Sequence, residues 1–152
     1  MSYSLDWHEM SEWLGHSILA KTQTAQGIVS NIANGQLAWP RDGQAVLAAL
    51  VDLDQLEDTW NNFCATVQTL QEQELDPAYE DAEEWPKISD PEQVAYRARL
   101  RQQMRALKAL KDQIKLWVVL EEAAAAAEER RRQEEEAQQQ LDPQAGHRQH
   151  WY

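Results

Sequence analysis

The chain predicts an all-α fold: an elongated antiparallel helical hairpin with a long third helix against it, coiled-coil-like, ending in a projecting charged helical extension. Three observations lead there. Its 152 residues hold only 5 glycines and 5 prolines, while alanine, leucine, glutamate and glutamine abound, which is a helix-forming composition. Apolar residues recur at steps of three and four through three separate stretches, the period of one buried helix face. Strong breakers gather around 34–43 and 76–90, which leaves room for three helices.

The first helix is expected over about residues 6–34. Trp7, Met10, Leu14, Ile18, Ala25, Ile28, Val29 and Ile32 fall in an arc roughly 100° wide at about 100° per residue. Asp6 and Glu9 read as a capping box, with Leu5 and Met10 packing across it. Asn34-Gly35 is a stop, since both residues tolerate the left-handed conformation. Gly15 and Gly27 each cost about 1 kcal/mol relative to alanine, so a bend between Thr22 and Gly27 is allowed for.

The second helix is expected over about 43–75, capped by Asp42 and ended before Pro77. Val46, Leu50, Leu53, Leu56, Trp60, Phe63, Val67 and Leu70 give a nearly heptad seam. Residues 76–90 read as an acidic linker tacked down by Tyr79, Trp85 and Ile88. Asp90-Pro91-Glu92-Gln93 then starts a third helix: an N-cap, proline at the first helical position and Gln three after the cap. Its first half, to residue 120, buries Tyr96, Leu100, Leu107, Leu110, Ile114, Trp117 and Val118. Residues 121–141 have no apolar seam and rely on alanine and on pairs such as Glu128–Arg132, Arg130–Glu134 and Arg132–Glu136. Asp142-Pro143 is the expected stop, leaving 142–152 as a flexible tail. Three units follow: a helical body over 1–120, an extension over 121–141 and a tail.

Few chemistries are offered. The one cysteine, Cys64, rules out an internal disulfide framework and a multi-cysteine zinc site. It lies beside Phe63 with no histidine near in sequence, which reads as a buried structural thiol. His8, Glu12 and His16 share one helix face, but the two histidines stand about 12 Å apart along the axis, too far to hold one ion. His–Glu hydrogen bonding on a solvated face is the better reading, and His147 and His150 are tail residues. Glu80, Asp81, Glu83 and Glu84 have no apolar pocket to separate their acidities, as acid–base catalysis requires. No phosphate loop, nucleophile elbow or metalloprotease motif occurs. No enzyme, cofactor or metal is expected. Neither a basic, apolar leader nor a membrane-length apolar run is present, so the expected location is the cytoplasm or the inside of an assembly.

Charge distribution is the most informative feature. The formal net charge is -12, yet residues 93–120 carry seven bases against Asp112 alone. Arg97, Arg101, Arg105, Lys108 and Lys115 form one stripe roughly 110° from the apolar face. The stripe has three readings: pairing with acids of the hairpin to fix register, docking of an acidic partner or second copy, and nucleic-acid binding. The first carries most weight. Nucleic acid is disfavoured by the overall charge and by the lack of interleaved aromatics.

The expectation is therefore a non-enzymatic helical interaction protein: an assembly factor, adaptor or structural component, of a bacteriophage or other macromolecular assembly, that self-associates or binds a protein. The basic stripe and the terminal Trp151 and Tyr152 are its expected partner-binding residues. The alternative is an acidic inhibitor that mimics DNA through Asp52, Asp54, Glu57 and Asp58 and occupies a basic groove.

Overall fold

The computed structural model describes residues 7–75 and 87–149, with Leu75 and residues 142–149 given by backbone alone. Three helices pack against one another: α1 (Trp7–Ala33), α2 (Gly43–Leu75) and α3 (Pro91–Gln149). No strand occurs among the described residues.

The end of α1 follows from Gly35, whose φ of 68° is left-handed. Gln36 N donates to Asn31 O at 2.9 Å and Gly35 N to Ile32 O at 3.1 Å. These are the two bonds that close a Schellman ending and satisfy the last carbonyls. The start of α2 is tight. A side chain at Gly43 would run into the Trp39 ring, so glycine lets that ring lie across the helix end. Asp42 and Asp90 stand where caps are expected, and their carbonyls accept the first helical bonds from Val46 and Val94. Their carboxylates instead reach back into the loops, to Ala38 N at 2.8 Å and Lys87 N at 3.0 Å. The Asp6 capping box and the Tyr79 and Trp85 contacts lie outside the described residues.

The core joins all three helices. In α1 the buried positions are Trp7, Ser11, Leu14, Ile18 and Ala25. Met10, expected inside, is 41 % exposed, because the seam steps from Trp7 by four, not three. Ser11 takes its place, satisfying its hydroxyl on His8 O at 2.8 Å, a bond within the same turn that lets a small polar group be buried. Along α2, Val46 to Val67 are buried at the expected spacing, and Leu70 packs at the margin. Ile88, just before α3, is 1 % exposed. It tacks the end of the linker down as expected.

The buried face of α3 is a strict heptad: Arg97, Leu100, Met104, Leu107, Lys111, Ile114 and Val118. Two of these seven positions are cationic. In α1, Lys21 occupies the corresponding step between Ile18 and Ala25, and it pairs with Asp52 of α2. The expected apolar face of α3 thus lacked Met104 and both cations, while Tyr96, Leu110 and Trp117 pack only partly buried at its edges.

Two corrections concern the far end of α3. The helix does not stop at Asp142–Pro143 but runs to Gln149, so 142–149 is helical backbone and not an irregular tail. An interior proline removes its own amide donor and crowds the carbonyl four residues back, which is why a stop is expected there, yet the helix continues through Pro143. The ion pairs also differ from those expected. Arg131 bonds Glu128 and Glu135, and Arg132 bonds Glu129.

Candidate functional site: a cationic groove between two helices

The structure splits the basic stripe into two sets. Lys115 is exposed but turned towards α2, with Nζ 3.8 Å from Asp54 Oδ1. Lys111, outside the expected stripe, is 6 % exposed and donates to Asp54 Oδ1 at 2.6 Å and to Glu57 Oε2 at 3.0 Å. Burial works to lower the Lys111 pKa, but the hydrogen bonds and charges of Asp54 and Glu57 outweigh it and hold the ammonium above its ordinary value. Asp54 is held below the usual carboxylate value chiefly by the Lys111 hydrogen bond.

Arg97 is also internal, 5 % exposed. Its Nη2 donates to Ile88 O at 2.6 Å, and Ile88 N donates in turn to Glu74 Oε2 at 2.8 Å. Ser89 Oγ completes the clamp on Glu74 Oε1 at 2.7 Å. The last turn of α2 and the first turns of α3 are thereby held by one short network.

Arg101, Arg105 and Lys108 are exposed and stay together along an open groove between α2 and α3. The groove has two compartments of about 520 and 280 Å³, which adjoin at Trp60 and Arg101. Phe63 and Val67 extend the apolar floor beside Trp60, and Arg97 stands at the wider end. The floor exists because α2 presents its seam residues there, and the wall because the α3 cations follow one another by a turn.

Cys64 lines the wider compartment. Burial pushes its thiol above the usual value, with the Arg101 charge pulling the other way. It is thus kept protonated, not activated. His8 Nε2 lies 3.2 Å from Glu12 Oε1, the expected helix-face contact. Among the described residues no group of three or more His, Cys, Asp or Glu side chains is placed to hold a metal. No helix there is long and apolar enough to cross a membrane.

The acidic run proposed to mimic DNA is largely engaged internally. Asp52 meets Lys21, and Asp54 and Glu57 meet Lys111. A second exposed apolar feature lies on α3, where Leu116, Val119 and Leu120 face solvent, opposite the buried seam. The cluster Glu80, Asp81, Glu83 and Glu84, the tail residue His150, and Trp151 and Tyr152 lie outside the described residues. Sequence reasoning missed Lys111 and the inward role of Arg97. The signal was present in the heptad register, which puts both on the seam, two repeats apart.

Comparison of the chain with models of known protein families, with curated proteins and with solved structures found no match.

Proposed function

We propose that the protein is a non-enzymatic helical interaction protein, an adaptor or assembly factor, and that the groove between α2 and α3 is where a protein partner docks. The observation that carries this reading is the pairing of an apolar floor at Trp60, Phe63 and Val67 with a wall of exposed cations at Arg101, Arg105 and Lys108. Interfaces commonly combine a buried aromatic anchor with rim charges that steer the encounter. Cys64, the nearest group with nucleophilic chemistry, is held as a thiol, in keeping with recognition and not reaction.

The long exposed helix beyond residue 121 supplies reach, and the outer stripe of Leu116, Val119 and Leu120 supplies a surface for self-association. In this reading the body is an elongated antiparallel hairpin with α3 alongside. The protein works in the cytoplasm or within a larger assembly.

The test is site-specific photo-crosslinking in cells of the source organism. A photoreactive residue replaces Asn61 on the groove rim or, as control, the exposed Gln26 of α1. A discrete adduct from Asn61 that Gln26 does not give is expected, and it disappears with Arg101→Glu. Equal adducts at both positions, or none at Asn61, overturn the proposal.

A further inference from the structure

Arg97 is a buried cation with incomplete partners. Its Nη2 is bonded to the Ile88 carbonyl, but that acceptor is neutral. Its Nη1 is sealed from solvent and has no acceptor. An unmet buried donor is destabilising, the more so when it carries charge. Glu74 is the carboxylate that favours the charged guanidinium, yet both its oxygens already accept, from Ile88 N and Ser89 Oγ. One turn along α3, Arg101 adds a second positive charge to the same compartment, and the two disfavour one another. Two cations one turn apart, one of them desolvated, make a place where an anion is missing.

The rest of the compartment says which anion. Beside the two arginines, Trp60, Phe63, Val67 and Val94 make most of the lining apolar, with Gln68 and Gln71 alongside, so a ligand must bring apolar surface as well as charge. A phosphate backbone brings charge alone. A helix with carboxylates and aliphatic side chains on one face brings both. The groove reaches from Gln71 to Glu57 along α2, about 21 Å at 1.5 Å per residue. That is about four turns of an inserted helix.

We infer that the wider compartment is a carboxylate receptor, and that the groove takes an acidic amphipathic helix of a protein partner. One carboxylate sits against the exposed Arg101, with the buried Arg97 charge behind it, and an apolar side chain lies on Trp60, Phe63 and Val67. This rests on the docking reading above and names the chemistry of the partner.

The experiment is a fluorescence-anisotropy titration of the full chain with a labelled acidic peptide of about four turns, Glu and Leu sharing one face. Its partners are the same peptide with Glu→Gln and a single-stranded oligonucleotide of similar length. The acidic peptide is expected to bind at least tenfold tighter than either. It is also expected to lose at least tenfold on Arg101→Gln, an exposed position whose change leaves the Arg97–Ile88 contact in place. Occupancy should slow alkylation of Cys64, the chain's one thiol. Equal binding of the neutral peptide overturns the carboxylate inference, as does tighter binding of the oligonucleotide. If neither peptide binds while Asn61 still cross-links a partner in cells, this inference fails and the docking reading stands. If Asn61 cross-links nothing either, both fail.

Discussion

Lys111 Nζ lies 2.6 Å from Asp54 Oδ1, joining α3 to α2 from a seam position where an apolar residue is the usual occupant. With Glu57 also in reach, the ammonium is compensated on two sides. Buried pairs of this kind add little net stability over an apolar pair, but they penalise any register that separates them. Lys111→Ala is expected to lower unfolding stability by about 1–3 kcal/mol. Lys111→Met, which keeps the volume, should lower it less. Urea denaturation measures both, and a Lys111→Ala midpoint equal to that of the parent would show that the pair holds nothing.

The same pair sets a pH dependence. Asp54 is held below its ordinary value of 3.8 by the Lys111 hydrogen bond first. Its contribution is therefore present above that value and is lost as pH falls through the lower folded value. Lys111 stands above 10.5 because its carboxylate partners outweigh burial. Its contribution is complete below 10.5 and is lost as pH rises through the higher folded value. The difference in Tm between the parent and Lys111→Met should stay level through the neutral range and shrink at both extremes. A difference that vanishes near neutrality would contradict the assignment.

Gly15 and Gly27 look alike in the sequence and differ in the structure. A side chain at Gly15 would strike the Tyr96 hydroxyl, which donates to Ser11 O at 3.3 Å, whereas nothing lies within 4 Å of one at Gly27. Gly27→Ala should raise stability by about 0.5–1 kcal/mol through helix propensity alone. Gly15→Ala should gain less than Gly27→Ala despite the same propensity, because the Tyr96 ring must swing aside and give up its bond to Ser11 O. Thermal unfolding of the two variants orders them, and the reverse order would refute the close approach.

Glu74 ties the start of α3 to the end of α2 through Ile88 N and Ser89 Oγ. Glu74→Ala leaves the buried Ile88 amide without its acceptor and should cost about 1–3 kcal/mol. Hydrogen exchange at the Ile88 amide should accelerate with it. Unchanged protection would mean that another group serves the amide.

Much of the fold was legible because apolar periodicity and breakers act locally. The α2 seam from Val46 to Val67, the Asn34–Gly35 stop and the Asp90–Pro91 start all appear where residue spacing and turn chemistry put them. What escaped depends on partners distant in sequence. Arg97 and Lys111 count as surface charges until Ile88, Asp54 and Glu57 are brought against them. Met10 and Ser11 exchange places because burial follows the neighbouring helix and not hydropathy alone. The stripe of cations was readable as a stripe, but its division into an internal lock and an open wall needed the packing of α2.

The most direct measurement is the set of tryptophan indole N–H resonances of the isotopically labelled chain, recorded as the acidic amphipathic peptide is added. Trp60 lines both compartments of the groove, while Trp39 and Trp117 stack edge to face with centroids 6.1 Å apart, and neither lines it. The Trp60 signal is expected to shift saturably and the Trp39 and Trp117 signals to stay in place. Saturable shifts confined to tryptophans outside the groove, with Trp60 unmoved, would contradict it.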